Sequence, residues 1–233
     1  MLWPLLLLFA GLALAQTADD IASEPHHHLL LQNAQVRVFA LTLPRTEQAY
    51  VRHDHGFLTI SLEDSELVVW QEGAAPVQSF PFRQGDVRFA FGGRAIGLRN
   101  DRTTDYHGVI VEFFDPKVTT YGFHADTNTW SYEGGGINLP ADPHAKFVAR
   151  MPLGAASVAD VQLLAGDSLP PPDEGVAELL IPLTEIDLKQ EDRHIRKQPG
   201  EVVWIGSGRK ADLMNASSGP IGFAVVELRP ETK

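Results

Sequence analysis

The chain has 233 residues, 44% of them apolar and 21% charged, with 20 Gly and 16 Pro; the apolar share supports a packed core and excludes both a disordered chain and a multispan membrane protein. Nineteen Lys+Arg against 30 Asp+Glu give a net charge of −11, and no basic cluster could neutralise a phosphate backbone, which excludes nucleic acid as a partner. The absence of Cys removes disulfides, thiolate zinc sites, Fe–S clusters and a Cys nucleophile, so a metal would have to be held by His and carboxylates.

At the N-terminus, Leu5 to Ala15 form an apolar run ending in Ala13-Leu14-Ala15, a small-x-small site before Gln16. This pattern predicts a signal peptide over residues 1–15 and a secreted or periplasmic protein. The run is too short for a stable membrane span, which needs about 20 apolar residues.

Beyond a polar lead, short β-branched and aliphatic runs alternate with turn residues. Val36 to Leu41 precedes Pro44, Phe57 to Leu62 precedes Glu63-Asp64-Ser65, and Leu67 to Trp70 ends near Gly73. Val87 to Phe91 ends at Gly92-Gly93, and Val109 to Phe113 ends at Asp115-Pro116. These are strand signals, and outside the signal no window keeps a 3.6-residue apolar period. Residues 117–145 are polar, with Gly134-Gly135-Gly136 and isolated aromatics, and read as a Gly-rich linker. Strand-like runs resume at Lys146 to Met151, Val161 to Leu164, Ala177 to Leu183, Glu201 to Ile205 and Ile221 to Leu228.

The second set repeats the first. Gln84-Gly85-Asp86-Val87-Arg88-Phe89 lies over Pro199-Gly200-Glu201-Val202-Val203-Trp204 at a displacement of 115 residues, which also pairs Gly93 with Gly208, Asn100 with Asn215 and Glu112 with Glu227, without a gap. Upstream, Leu58 to Leu62 lies over Leu179 to Leu183 at a displacement of 121. A fixed displacement implies a duplicated supersecondary unit, and a length awkward for one or two ordinary domains becomes two small β-domains, 16–116 and 146–233.

His53-Asp54-His55 stands just before the run Phe57 to Leu62. Residues two apart on a strand share a face about 7 Å apart, so both imidazoles are expected to face one interior as two ligands of one metal. His26-His27-His28 precede the first strand and read as incidental, although a short His tract can chelate metal. Trp70, Trp130, Tyr132 and Trp204 leave a lectin-like reading open, with core or interface packing as the plainer account. No Gly-x-Ser-x-Gly occurs, which argues against a nucleophile-elbow hydrolase.

The chain resembles a bicupin, a duplicated member of the cupin superfamily of β-barrels. The family's second motif runs Gly, five residues, Pro-x-Gly, two residues, His, three residues, Asn. It is matched in spacing by Gly85, Phe91-Gly92-Gly93, Ile96 and Asn100, and again by Gly200, Gly206-Ser207-Gly208, Ala211 and Asn215. Glycines and asparagines survive as turn-formers, Gly by permitting positive φ and Asn by tolerating the left-handed region; the Pro and the His are lost in both copies. In the first motif, His53 and His55 match the two histidines, and the Glu falls at Thr59 or Ile60. The resemblance implies an all-β fold of two tandem jelly-roll-like barrels, with a ligand pocket in the N-terminal barrel near Tyr50, Thr59 and Ile96. It also implies His53 and His55 as two of four metal ligands; His107, just before the run Val109 to Phe113, is a further candidate that would complete a set for a divalent Fe, Mn or Zn ion, with a loop residue as its plainer reading. Three readings stay open: a small-ligand binder with a degenerate or absent metal centre, a metal-dependent dioxygenase or isomerase, and an interaction protein, such as a homodimer, with vestigial pockets.

Overall fold

The computed structural model describes residues 17–73, 77–119 and 147–229. The expected signal peptide, and the connector over residues 120–145, lie outside the described residues. The first half contains β1 (Asp19–Asp20), β2 (His27–Gln32), β3 (Val36–Leu43), β4 (Gln48–His53), β5 (Phe57–Ser61), β6 (Ser65–Gln71), β7 (Val77–Phe82), β8 (Val87–Ala90), β9 (Arg94–Arg99) and β10 (Tyr106–Phe113). The second half contains β11 (Phe147–Leu153), β12 (Ala156–Leu163), β13 (Ser168–Leu169), β14 (Ala177–Pro182), β15 (Ile186–Gln190), β16 (Arg193–Lys197), β17 (Val203–Ser207), β18 (Leu213–Asn215) and β19 (Ile221–Leu228). No helix among the described residues is long and apolar enough to cross a membrane.

Four sheets form, and each draws its strands from one half only. The first half builds β1-β4-β9-β6-β7 and β2-β3-β10-β5-β8; the second builds β13-β18-β15-β16 and β11-β12-β19-β14-β17. The order is the same in both halves, apart from the added β1, which pairs with β4 in parallel. Two sheets packed face to face over an inner core are the jelly-roll solution to closing a short-stranded antiparallel chain.

Strand periodicity explains three separate cores. On β3, Phe39, Leu41 and Leu43 fill the first barrel, while Val36 and Val38 point the other way. On β12, Val161 and Leu163 fill the second barrel, while Ala156 and Val158 point out of it. These outward residues meet: Val38, Leu58, Ile60, Val109 and Val111 of the first half share one buried cluster with Val158, Leu179, Ile181 and Val226 of the second. The central strands β5, β10, β14 and β19 are therefore buried on both faces. This is why they read in sequence as nearly continuous apolar runs rather than as alternating ones.

The duplicated turn residues have duplicated work. Gly85 (φ 82°) and Gly200 (φ 80°) both adopt the left-handed conformation that L side chains avoid. Each also faces the opposite barrel: a Cβ on Gly200 would stand 2.7 Å from Leu62, and one on Gly85 would stand 3.4 Å from Leu183. The asparagines differ from expectation. Neither Asn100 nor Asn215 has positive φ. Their amides instead pin chain to chain: Asn100 Nδ2 donates to the Leu43 and Thr104 carbonyls, Asn215 Nδ2 to those of Leu163 and Gly219, and each Oδ1 accepts the backbone N–H two residues on. Both are buried, and it is hydrogen bonding, not backbone freedom, that calls for Asn there.

Candidate functional site

The last residue of β4 delivers His53 into the first barrel, where its ring stacks on Phe57 of β5 at 3.7 Å between centroids. Its Nδ1 donates to Glu112 Oε1 at 2.9 Å. Glu112 belongs to β10, whose alternate residues Val109, Val111 and Phe113 face the second barrel, so Glu112 and Ile110 face inward. The other carboxylate oxygen accepts from Arg37 of β3, from Nε at 2.8 Å and from Nη2 at 2.6 Å. Side-chain exposure is 0% for Glu112, 3% for His53 and 18% for Arg37. Burial pushes the Glu112 carboxyl up, but the His53 and Arg37 contacts outweigh it and hold the group below the usual carboxylate range. Burial dominates at His53, pulling the imidazole below its ordinary value despite Glu112. The ring is therefore neutral at pH 7, with its proton on Nδ1 because an ionised carboxylate can only accept.

A second imidazole is anchored in the same way. His27, at the start of β2, places Nδ1 2.5 Å from Glu24 Oε2, and the other oxygen of Glu24 bonds His26 Nδ1. His26 Nε2 continues to Glu47 at 2.7 Å. Burial raises the Glu24 carboxyl, yet the bonds from His27 and His26 win and its pKa is lowered. At His26 burial is likewise outweighed, by Glu47 and Glu24, and the ring titrates above its ordinary value.

His27 and His53 line one cavity, walled by Ala49, Val51, Phe57, Thr59, Ile96, Leu98 and Ile110, with an interior volume of ≈ 10 Å³. That is room for about one water. Each imidazole has spent Nδ1 on a buried carboxylate, and Nε2 is the nitrogen left over. A carboxylate behind an imidazole fixes its tautomer and orientation and raises the basicity of the free nitrogen.

Of the residues expected at this site, Thr59 and Ile96 lie in the cavity wall beside His53. His55 does not join them. Strand β4 ends at His53, where the Gly93 N–H bonds the His53 carbonyl; the chain then bends, the two-residue parity is lost, and the His55 ring packs edge-on against Phe114. His107 also lies elsewhere: on β10 it is one residue out of phase with the inward-facing Gly108, Ile110 and Glu112. Its imidazole is 47% exposed and bonded to Glu63 at 2.9 Å. Tyr50 is out of phase with Val51 and His53 on β4 and lies on the outer face, against Trp70. The residues not anticipated are His27, Glu24, Arg37 and Glu112. For Glu112 a signal existed: a carboxylate inside an apolar strand run, repeated as Glu227. For His27 the signal was the tract His26-His27-His28, read as incidental, because nothing local shows that His27 alone turns into the cavity.

The second barrel fills its equivalent space differently. Glu227 pairs with Ser157 across β19 and β12, in the register that joins Glu112 to Arg37. In place of an imidazole, Glu178 and Arg209 form a bidentate ion pair at 2.6 and 2.8 Å with side-chain exposures of 1% and 0%. Arg209 also donates to the carbonyls of Leu169, Pro170 and Ala211. A guanidinium so fully spent has no N–H left to offer a ligand.

The divalent metal expected from the resemblance does not fit the donors present. Among the described residues no group of three or more His, Asp or Glu is arranged to hold a metal ion. Glu24 and Glu112, the carboxylates nearest the imidazoles, are committed to Nδ1 atoms and to Arg37.

No protein-family model and no curated protein matches the chain. Solved structures do match. A cupin 2 conserved barrel domain protein from Leptotrichia buccalis is 9% identical with a TM-score of 0.58, the match covering 92% of each chain. Procruciferin, an 11S globulin from Brassica napus, is 10% identical with a TM-score of 0.63, over 92% of this chain and 87% of that one. A salicylate 1,2-dioxygenase from Pseudoaminobacter salicylatoxidans, in complex with gentisate, is 14% identical with a TM-score of 0.56, over 86% and 73%. The fold is thus that of the cupins, in duplicate. Because the same fold serves a dioxygenase and an 11S globulin, function has to be read from the site.

Proposed function

We propose that this is an exported protein that binds a small, neutral, hydroxyl-bearing ligand in its first barrel, without a metal and without catalysis, its second barrel being structural. One observation carries the reading: two imidazoles from different strands line one cavity, each with Nδ1 consumed by a buried carboxylate. The neutral His53 therefore offers a lone pair at Nε2, which calls for a hydrogen-bond donor. A carboxylate or phosphate ligand would face that lone pair with Glu112 and Glu24 behind it. The apolar wall formed by Val51, Phe57, Ile96, Leu98 and Ile110 suits the hydrocarbon portion of such a ligand. The cavity volume admits a hydroxyl and little more, so the rest of the ligand extends toward the barrel mouth. The apolar run Leu5 to Ala15 supports export.

The test is ligand-observed NMR with a panel of small alcohols and polyols, read together with the ring nitrogen shifts of His27 and His53. Binders are expected to perturb both Nε2 signals, and binding is expected to disappear in His53→Ala and in His27→Ala. Binding that survives both substitutions overturns the reading. So does stoichiometric Fe, Mn or Zn in the purified, untagged protein that is lost in His53→Ala.

A further inference from the structure

The outer face of the sheet β1-β4-β9-β6-β7 carries a feature that the barrel interior does not use. Three residues stand side by side across it in ladder register: Tyr50 of β4, Gly97 of β9 and Trp70 of β6. The missing side chain in the middle is what shapes the surface. The Trp70 indole lies directly over Gly97, so that a Cβ there would stand 1.9 Å from its Cε2. One face of the indole is thus against backbone. The Tyr50 ring is 6.0 Å away and only 19° from parallel, and both residues are half-buried. The two rings form a stacked pair beside Gly97.

The neighbouring rows are polar and planar. On one side, Arg52 holds Glu72 through two bonds of 2.7 and 2.8 Å, with the side chains 41% and 47% exposed. On the other, Arg99 holds Asp101 through bonds of 2.7 and 2.8 Å and pairs in register with Gln48. Each of these guanidinium groups is bonded to a carboxylate, so the rim is rich in donors and acceptors. An exposed aromatic edge takes up an apolar surface, and guanidinium–carboxylate pairs beside it offer donors and acceptors to hydroxyls. A neutral pyranose has both: a C–H face and a ring of equatorial hydroxyls.

We propose that this face is a saccharide-binding site, taking one sugar ring against the Trp70–Tyr50 pair, with its hydroxyls reaching Arg52, Glu72 and Gln48. It is separate from the barrel cavity, since Tyr50 and Trp70 are out of phase with the inward-facing Val51, His53, Leu67 and Val69.

Calorimetric titration with cellohexaose, xylohexaose, mannohexaose and chitohexaose provides the test, each against the mature chain and three variants. At least one hexaose is expected to bind and to quench Trp fluorescence. Trp70→Ala is expected to weaken binding about tenfold or more. Gly97→Ala keeps every polar group yet displaces the indole, and is expected to do the same. His107→Ala, on the other sheet, is expected to leave binding unchanged. Thermal melting separates loss of binding from loss of fold, and Tyr50→Ala replaces Trp70→Ala should the latter not fold. The proposal is overturned if no hexaose binds, or if binding is undiminished in both Trp70→Ala and Gly97→Ala. It is equally overturned if sedimentation shows that the face mediates a dimer which Trp70→Ala dissolves.

Discussion

Truncating Glu112 to Ala tests whether the network at the first barrel is as tightly coupled as its geometry implies. The substitution leaves Arg37 Nε and Nη2 and His53 Nδ1 without the acceptor they share at 2.6–2.9 Å. Because Glu112 is fully buried and Arg37 is only 18% exposed, the charge left behind cannot turn freely to water, and the expected loss is about 3–5 kcal/mol. That is a large share of the 5–15 kcal/mol typical of a folded protein. Glu112→Gln retains an acceptor for Arg37 but presents an amide donor to His53, and the expected cost is smaller, about 1.5–3 kcal/mol. Urea unfolding followed by circular dichroism at several pH values measures both.

The pH profile carries the second half of the test. Glu112 titrates below its ordinary value when folded, so its contribution is present above about pH 4.3 and is lost as pH falls through the folded value. His53 also titrates low when folded. The unfolded chain therefore takes up that proton first, and stability begins to fall as pH drops below about 6.5. Both groups make the wild-type protein less stable in acid, and the gap between wild type and Glu112→Ala should narrow toward pH 3. A loss below about 1 kcal/mol at pH 7.5, as for an exposed ion pair, or a gap that does not narrow in acid, would refute the coupling.

Three further outcomes are expected. Asp160 is buried on β12 near the inter-barrel contact, and burial pushes its carboxyl up to about 6 against an ordinary 3.8. It thus favours folding below pH 3.8 and opposes it as pH rises through 6, so Asp160→Asn should stabilise the protein at pH 7.5 by about 1–3 kcal/mol and by little at pH 3.5 in the same urea assay. Gly200→Ala forces a Cβ into the left-handed region and toward Leu62 at 2.7 Å, and its melting temperature should fall by an amount corresponding to at least about 1 kcal/mol. Gly73→Ala, also at positive φ but with open space around it, should cost less, and equal losses would show that contact between the barrels is not involved. Glu178→Ala, which strands Arg209 at 0% exposure, should cost about 3–5 kcal/mol, whereas Glu178→Leu with Arg209→Met should recover part of it; a double variant no more stable than the single one would contradict this.

Legibility in the sequence followed the range of the interactions. Strand runs, turns and the duplication were readable because their causes are local: period-two burial and glycine at positive φ; the turn asparagines were legible by spacing alone, since their amides also bond Leu43 and Leu163 on the other sheet. The 115-residue displacement linked Gly85 with Gly200 and Asn100 with Asn215 because each turn solves the same local problem twice. It linked Glu112 with Glu227 as well, and both face a barrel interior. The candidate site was readable only in part. His53 was found by its spacing, but the same spacing included His55, because a two-residue period holds only while the chain remains extended and β4 ends at His53.

Which imidazole shares the cavity with His53 was a tertiary decision. His27 opens β2, at the edge of a barrel sheet, and its role depends on β2 pairing with β3 and on Glu24 folding back beneath it, contacts that no local pattern records. The composition and periodicity of the chain determined that it would form two small all-β units with turns at fixed places. Only the packing of the sheets decided which side chains would be enclosed together, because burial and charge pairing join residues distant in sequence. That packing closed one barrel with an ion pair, left two anchored imidazoles beside a cavity in the other, and laid Trp70 over Gly97 on the outside.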